Sequence, residues 1–188
     1  MPTEKQKMLA GELYNAATAN ELCNERYCAQ NYCFEFNQLS PGHTAERLAI
    51  LQKLLNRVGQ DAMIMPGFWC DYGYNITLGD HFFANFNCVM LDAAPIQFGN
   101  HVFIGPNCGF YTSGHPLDIK SRNMGLEYAK PITVGNNVWI GGNVAVLPGV
   151  CIGDNCVIAA GSVITQSISD DAIVMGNPGK IKRILTEL

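Results

Sequence analysis

The feature that most constrains the fold is an apolar residue that recurs at every sixth position over much of the chain. The longest unbroken run has an aliphatic side chain at each step: Val134, Ile140, Val146, Ile152, Ile158 and Ile164. Two earlier stretches, separated by a two-residue slip after Pro95, show the same spacing: Tyr72, Leu78, Ala84 and Met90, then Phe98, Ile104 and Phe110. A period of six fits neither an α-helix nor an alternating strand. It predicts a mainly β fold, a parallel β-helix whose short strands stack in successive coils.

The repeat accounts for an unusual composition. Only 15% of the residues are charged, against a usual share near ~25%, and 19 are glycine. Glycine follows several of the repeat aliphatics, at Gly135, Gly141 and Gly153, which predicts that these glycines turn the corners of each coil. Because the other side chains are either inward aliphatics or short turn residues, few positions remain for charge.

The eight cysteines are predicted to be reduced thiols rather than a disulfide framework or a zinc site. They form no CxxC pair, and the chain is large enough to bury a core without cross-links. Cys88, Cys108 and Cys156 occupy the fourth position after a repeat aliphatic, a position that valine or serine fills in other coils. These three are therefore expected to point inward.

Charge and hydropathy exclude several classes of partner. The net charge is −4 and no run of lysine and arginine occurs, so we expect no nucleic-acid partner. The N-terminal stretch MPTEKQKMLAGELY lacks the apolar centre of a signal peptide, and no uncharged apolar stretch reaches the ~18 residues of a membrane span. The expectation is a cytoplasmic protein with no membrane partner.

Three regions are expected to surround or interrupt the repeat. Residues 1–60 are predicted to be a helical segment, with Leu9 and Leu13 on one face and a later helix that Thr44 caps and Gly59 ends. This segment could cover the open end or the side of the β-helix, which spans residues 61–175. An inserted loop occupies residues 112–131, and residues 176–188 form a C-terminal tail.

The inserted loop contains His115, the first candidate catalytic residue. Long irregular insertions in a regular fold are usually functional, and Gly114 and Pro116 on either side of the histidine favour a turn. Imidazole accepts a proton near neutral pH, and general-base catalysis is typically worth ~10² to 10⁴ in rate. His115 is therefore the preferred general base.

Several strings together resemble the sugar O-acetyltransferases of the hexapeptide-repeat family, and most closely its maltose O-acetyltransferases, near relatives of the galactoside enzymes. The strings are ANFNCVMLD, GHPLD, KPITVGNNVWIGG, VLPGVCIGDN, IAAGSVIT and GNPGKIKR. The resemblance implies a left-handed β-helix, assembly as a homotrimer and active sites between neighbouring subunits. It also implies that His115 removes the proton from a sugar hydroxyl that attacks the thioester of acetyl-CoA, with no metal required.

On the acceptor side, the resemblance implies that Asn85 and Asp71 contact the sugar. Arg26 and Glu127 are weaker candidates, and Glu127 is expected either to orient His115 or to contact the sugar. The positions of two sugar-contacting aspartates of the galactoside enzymes hold Ala16 and Ala93 here. Glucose or maltose is therefore a better candidate acceptor than a galactoside.

On the donor side, the resemblance points to residues after the inserted loop. Trp139 is expected to lie against the pantetheine arm of the coenzyme, and backbone N–H groups near Gly142 are candidates to bind the developing oxyanion. Lys180 and Arg183 are expected to meet the nucleotide phosphates. The remaining candidates offer short side chains or backbone to the arm: Gly142, Ala160, Thr165 and Gln166.

Other functions stay open on the sequence alone. The chain could acetylate another hydroxyl acceptor, such as a galactoside, an antibiotic or a lipo-oligosaccharide, or it could be a non-enzymatic trimeric scaffold. A γ-type carbonic anhydrase shares the fold and uses zinc. Its histidine spacing is not matched here, since His81 and His101 both lie at turn positions three residues after a repeat aliphatic.

Overall fold

The computed structural model describes residues 1–185, in which short parallel strands form the three faces of a left-handed prism. One face is a five-stranded sheet of β2 (Trp69–Cys70), β5 (Val89–Leu91), β8 (Gly109–Tyr111), β13 (Ala145–Val146) and β16 (Val163–Ile164). A four-stranded sheet contains β3 (Ile76–Thr77), β6 (Ile96–Phe98), β11 (Ile132–Val134) and β14 (Cys151–Ile152). The seven-stranded sheet contains β1 (Met63–Ile64), β4 (Phe83–Ala84), β7 (Phe103–Ile104), β12 (Trp139–Ile140), β15 (Val157–Ile158), β17 (Ala172–Met175) and β18 (Lys180–Ile184).

The repeat aliphatics form vertical rows inside the prism. Ile104, Ile140 and Ile158 are paired in register on the seven-stranded sheet, and each is almost fully buried. Such stacking satisfies the backbone of each coil through the coils above and below, while the aliphatics of the three faces pack against one another. The predicted mainly β fold is confirmed.

The repeat frame departs from the sequence prediction at its first coil. Cys70, rather than Tyr72, points inward and stands in register with Met90 and Phe110. Tyr72 is buried outside the prism, among residues of the N-terminal segment such as Met8. The step from Cys70 to Leu78, the next residue of the repeat, is therefore longer by two residues than a hexad, as is the step at Pro95.

The corners also differ from the prediction, because asparagine and histidine turn them more often than the predicted glycines do. Asn87, Asn107 and Asn143 have φ values of 61°, 59° and 58°, in the left-handed region that asparagine tolerates best after glycine. Gly135 serves another purpose: a Cβ there would lie 2.3 Å from Oδ1 of Asp154. Such glycines let successive coils approach closely.

The cysteines expected to point inward do so. Cys88, Cys108 and Cys156 are all at most 1% exposed, and all eight cysteines are free thiols. The Cys108 thiol lies 3.1 Å from the carbonyl oxygen of Gly141, and the Cys156 thiol lies 3.2 Å from that of Ser169. They act as small core residues that also satisfy a carbonyl of the next coil.

The N-terminal segment contains three helices: α1 (Glu4–Leu9), α2 (Asn20–Gln38) and α3 (Thr44–Leu54). The predicted helix ends are wrong. Thr44 is the first helical residue and His43 is the cap residue, while α3 ends at Leu54 rather than near Gly59. The helix cannot continue because Asn56 and Arg57 form backbone hydrogen bonds with β3 and the residue after it. Leu13 follows α1 and, like Leu9, is exposed.

The helices α2 and α3 close the N-terminal end of the prism. Phe36, Leu51 and Leu54 share one buried core with Ile64 and Phe68 of the first coil. No helix within residues 1–185 is long and apolar enough to cross a membrane.

The inserted loop and the C-terminal tail both have regular structure. The loop begins and ends in a two-stranded antiparallel sheet of β9 (Ser113–Gly114) and β10 (Tyr128–Ala129), with the helix α4 (Ile119–Asn123) between them. The predicted tail contains β18, which pairs antiparallel with β17 and extends the seven-stranded sheet. Residues 186–188 of the predicted tail lie outside the described residues.

Candidate functional site

His115 directly follows β9, at the base of the inserted loop. Gly114 pairs with Tyr128 of β10, and a Cβ on this glycine would lie 2.6 Å from the Tyr128 hydroxyl. On the far side, Asp118 caps α4 by accepting a hydrogen bond of 2.7 Å from the backbone N–H of Ser121. The histidine is thus held between a strand pair and a capped helical turn.

The imidazole of His115 has one fixed hydrogen bond. Its Nδ1 lies 2.9 Å from the backbone carbonyl oxygen of Leu126, and a carbonyl oxygen can only accept. A neutral ring that donates from Nδ1 has its lone pair at Nε2, and the side chain is exposed. The arrangement suits a base that takes a proton at Nε2 from a molecule arriving from solvent.

Glu127, the residue after this carbonyl, is joined to the N-terminal segment. Its Oε2 accepts a hydrogen bond of 3.0 Å from the hydroxyl of Tyr14, and the two backbones pair through hydrogen bonds of 3.1 and 2.8 Å. Tyr14 is fully buried, and this burial, together with the charge of Glu127, raises the pKa of its hydroxyl. Of the two roles expected for Glu127, orienting His115 has no hydrogen bond to support it within residues 1–185, because Nδ1 of His115 meets the Leu126 carbonyl instead. A contact of Glu127 with the sugar stays a prediction.

Arg26 and Asp71 lie in the same neighbourhood. Nη1 of Arg26 is 3.3 Å from the Tyr72 hydroxyl, and Nη2 donates to the carbonyl of Ala16 at 3.2 Å. Burial raises the pKa of the Asp71 carboxyl; the positive charge of Arg26 opposes this, and Glu127 adds to it. Burial likewise raises the pKa of Tyr72 to about 12, against the influence of Arg26.

We call the group Tyr14, Arg26, Asp71, Tyr72 and Glu127 the polar cluster. Three of its members were expected from the sequence. Tyr14 and Tyr72 were missed as site residues, because a tyrosine has no characteristic spacing and Tyr72 falls into the frame of the hexad repeat. Ala16 and Ala93 are buried in the same apolar cluster as Tyr14 and Tyr72. Because both are alanine, neither supplies a carboxylate to the polar cluster.

Asn85 belongs to a different part of the prism. It follows β4 of the seven-stranded sheet, where its N–H donates to the carbonyl of Ile104 at 2.9 Å. Its side-chain Oδ1 accepts a 2.8 Å hydrogen bond from the N–H of the next residue, Phe86. No hydrogen bond joins Asn85 to His115 or to the polar cluster within residues 1–185.

The candidate donor-side residues gather at the C-terminal half of the prism. Trp139, 60% exposed, stands in a row of the seven-stranded sheet that continues through Val157 and Ile173 to Arg183. Lys180 pairs with Met175 in the same sheet. The four candidates with short side chains or backbone contacts lie after the strands of these coils: Gly142 after β12, Ala160 after β15, and Thr165 and Gln166 after β16.

The outer face of the seven-stranded sheet carries an apolar row from β1 to β17, beyond which β18 adds Arg183. The residues of this outer apolar row are in register from the first coil to the last: Met63, Phe83, Phe103, Trp139, Val157 and Ile173. The corresponding row on the four-stranded sheet is mostly polar: Thr77, Gln97, Thr133 and Cys151. Two cavities lie beside the cap helices, and neither is lined by His115 or Asp71. The side chain of His115 is exposed.

Two family descriptions match the chain. Residues 7–59 match the maltose acetyltransferase hexapeptide capping motif, and residues 131–166 match the bacterial transferase hexapeptide of six repeats. A maltose O-acetyltransferase from Clostridium difficile has 41% identity and a TM-score of 0.97, with 99% of each chain covered. This chain belongs to the hexapeptide-repeat acetyltransferases. It is an acyltransferase.

Other members of the hexapeptide-repeat acetyltransferases have been solved with their coenzyme. A hexapeptide-repeat acetyltransferase from Vibrio cholerae, complexed with acetyl coenzyme A, is 41% identical with a TM-score of 0.90, covering 99% of this chain and 100% of the other. A galactoside acetyltransferase in complex with coenzyme A is 35% identical with a TM-score of 0.94, covering 99% and 92%. The resemblance read from the sequence is confirmed at the level of the family.

Metal ligands do not gather in the described part of the chain. No three histidine, cysteine, aspartate or glutamate side chains within residues 1–185 come together in a way that could hold a metal ion. His81 and His101 stack with ring centroids 4.7 Å apart at one corner of the prism, both with positive φ. Their place in the turns agrees with the sequence prediction.

Proposed function

We propose that this acetyltransferase moves the acetyl group of acetyl-CoA to a hydroxyl of glucose, maltose or a similar sugar, with His115 as general base. The observation that carries the proposal is the 2.9 Å contact between Nδ1 of His115 and the Leu126 carbonyl, which leaves Nε2 free to accept a proton. The relatives solved with acetyl coenzyme A or coenzyme A support the donor, and the maltose O-acetyltransferase supports the acceptor.

In the proposed reaction, Nε2 of His115 takes the proton of the sugar hydroxyl as its oxygen attacks the thioester carbonyl carbon. The C–S bond of the tetrahedral intermediate then breaks, and the coenzyme A thiolate recovers the proton from the imidazolium. A backbone N–H near Gly142 is proposed to bind the oxyanion, which is the charge that develops in the transition state. Much of the acceleration is expected from holding the two substrates together.

The polar cluster is proposed as the acceptor subsite, with Arg26 and Asp71 binding sugar hydroxyls. Arg26 has guanidinium N–H groups beyond those bonded to Tyr72 and Ala16, and Asp71 can accept two hydrogen bonds. A sugar bound there would lie near the residue pair Leu126 and Glu127, next to His115.

The donor subsite is proposed along the row from Trp139 to Arg183. Three strand spacings of about 4.8 Å separate these side chains, a span that an extended pantetheine arm can cover. Lys180 and Arg183, on the last strand, would then meet the phosphates, with Trp139 near the thioester end. Gly142, Ala160, Thr165 and Gln166 are proposed as backbone and short side-chain contacts along the arm.

We further propose a homotrimer in which each active site lies between two protomers. Two observations support it. Asn85 follows β4 and Trp139 lies in β12 of the seven-stranded sheet, and neither shares a hydrogen bond with His115 or the polar cluster within residues 1–185. In the outer apolar row, Met63, Phe103 and Trp139 are each at least half exposed. A neighbouring copy would cover this row and bring its own Asn85 to the other protomer's His115.

The first experiment measures coenzyme A thiol release with glucose, maltose, a galactoside and other hydroxyl acceptors. We expect His115→Ala to lower kcat by about 10² to 10⁴ while coenzyme A still binds. His43→Ala is the matched control, since His43 is exposed at the start of α3 and its side chain makes no capping bond. Full activity in His115→Ala would exclude this residue as the general base, and wild-type protein that binds coenzyme A but transfers acetyl to none of the sugars would refute the proposed acceptor.

A complementation experiment tests the shared site. Neither His115→Ala nor Asn85→Ala is expected to be active alone, but random mixing in trimers leaves about a quarter of the sites with both wild-type residues if they come from different protomers. We therefore expect co-expressed variants to recover about a quarter of wild-type activity. If both residues acted from the same chain, mixing would restore nothing. Analytical ultracentrifugation gives the mass of the assembly independently.

A further inference from the structure

The buried carboxyl of Asp92 has no part in the proposed chemistry and pairs with no cation. It follows β5 and is 0% exposed, and none of the ion pairs within residues 1–185 includes it. Burial raises the pKa of this carboxyl to about 6, although the backbone N–H of Tyr72 opposes the rise. A carboxylate placed at such a cost needs hydrogen-bond partners.

Those partners come almost entirely from loop 71–75. Oδ1 of Asp92 accepts from the backbone N–H of Asp71 at 3.1 Å and from that of Tyr72 at 2.8 Å. Oδ2 accepts from the N–H of Asn75 at 3.3 Å, and the backbone carbonyl of Asp92 accepts from the Asn75 side chain at 2.7 Å. Asp92 thus accepts hydrogen bonds from both ends of the loop.

The loop itself is tightly turned and carries two members of the polar cluster. Gly73 has a φ of 79°, and a Cβ there would lie 2.5 Å from the carbonyl oxygen of Leu54. With the centre of the loop pressed against α3 and both ends bound to Asp92, its backbone has little freedom. The Tyr72 hydroxyl is thereby held 3.3 Å from Nη1 of Arg26.

The segment that carries Asp92 is in turn tied to the strand that leads to His115. Thr112, fully buried, donates from Oγ1 to the carbonyl of Leu91 at 2.6 Å and accepts at Oγ1 from the N–H of Ala94 at 3.0 Å. It lies three residues before His115. The loop of the acceptor subsite and the general base therefore share one buried support.

We propose that Asp92 is a positioning residue for the acceptor: its carboxylate holds loop 71–75 so that Asp71 and Tyr72 face Arg26 and the incoming sugar. This inference rests on the proposed acceptor subsite. It predicts a selective effect, because no hydrogen bond within residues 1–185 joins the loop to the residues proposed for the donor subsite, which belong to the later coils.

A dependence on pH follows from the same geometry. When Asp92 is protonated, one oxygen becomes a donor and no longer accepts from the loop, so the KM for the acceptor rises as pH falls below about 6. The ionisable groups that face Asp92 are Asp71, Cys33, Cys70 and Tyr74. In the variant Asp71→Asn, the rise of the acceptor KM at low pH should remain if Asp92 causes it and should disappear if Asp71 causes it.

The experiment compares Asp92→Asn with Asp154→Asn by steady-state kinetics on the whole protein. Asp154 is the matched control, because its carboxylate also accepts a backbone N–H of a neighbouring coil, that of Asn136, at a corner away from the polar cluster. We expect Asp92→Asn to raise the acceptor KM at least tenfold and to leave the acetyl-CoA KM within twofold. The further rise of the acceptor KM at low pH should be absent in this variant. Equal changes in both KM values, or in both variants, would overturn the proposal.

Amide hydrogen exchange gives a readout that needs neither turnover nor a variant. In the wild-type protein, the amides of Tyr72 and Asn75 are expected to exchange faster as pH falls from 7 to 5, after correction for the intrinsic exchange rate. Unchanged protection would overturn the role of Asp92. Wild-type protein that acetylates no sugar but shows this loss of protection would refute the proposed acceptor while leaving the loop anchor in place.

Discussion

Replacing Tyr14 by phenylalanine removes one buried oxygen atom and should lower the stability at pH 8 by an amount that vanishes near pH 11. The Tyr14 hydroxyl is fully buried and donates to Oε2 of Glu127 at 3.0 Å. A hydrogen bond to a charged group contributes about 1.5–3 kcal/mol. Because Glu127 is half-buried and water can replace the lost donor, we expect Tyr14→Phe to lose about 1.5 kcal/mol of unfolding free energy at pH 8.

The advantage of the wild type disappears in alkali. Burial raises the pKa of Tyr14 above its usual value near ~10, so the folded state keeps the proton that the unfolded chain releases. The stability that this group contributes is complete below pH ~10 and decreases as pH rises, by about 1.4 kcal/mol at pH 11. Tyr14→Phe lacks the ionisable group, so the two proteins should have equal stability near pH 11. Burial of Tyr72 and Tyr74 has the same effect in both proteins and cancels from the difference.

Urea unfolding followed by circular dichroism measures this difference from pH 8 to pH 11 at one fixed protein concentration, since the proposed trimer would make the stability depend on concentration. Tyr27→Phe is the control, because Tyr27 is 66% exposed. We expect the curves of wild type and Tyr14→Phe to converge, while Tyr27→Phe follows the wild type. A difference that stays constant up to pH 11, or that is absent at pH 8, would refute the reasoning.

Two further predictions concern the corners and the thiols. Asn107 has a φ of 59°, so the variant Asn107→Ala should unfold more easily than Asn107→Gly, by about 1–2 kcal/mol in thermal or urea unfolding. Both variants lose the same side-chain hydrogen bonds, but only alanine has a Cβ. Equal stability of the two variants would contradict a left-handed corner. In a native titration with a disulfide reagent, the exposed Cys28 and Cys151 should react first, whereas the buried cysteines should react only after denaturation. If eight thiols per chain react in urea without reductant, all cysteines are reduced, and a smaller number would contradict this prediction.

The fold was largely readable from the chain because its determinant is periodic. Each coil repeats the same local requirement, an inward aliphatic every six residues, and stacking in register reinforces the pattern, as at Ile104, Ile140 and Ile158. The prediction failed where the period slips. At the first coil the step is eight residues, and the sequence alone offered Tyr72 for the inward position that Cys70 occupies.

The site was readable only in part. His115 stood out because it interrupts the repeat, and Asp71, Arg26 and Glu127 were expected from the resemblance and do gather in one polar cluster. Tyr14 was not expected, since its partner Glu127 lies 113 residues away in the chain. Asp92 was also missed, because a single aspartate at the end of a strand has no pattern that separates a buried anchor from a solvated turn residue.

By itself the sequence determined the prism, the inward cysteines and the loop that carries the histidine, because these depend on a local pattern repeated many times. Only the tertiary structure decided where α3 ends, which carbonyl orients His115 and how one buried carboxyl binds the loop of Asp71 and Tyr72. Each of these depends on a contact between segments distant in sequence. Such a contact occurs once in the molecule, so no repeated pattern in the sequence predicts it.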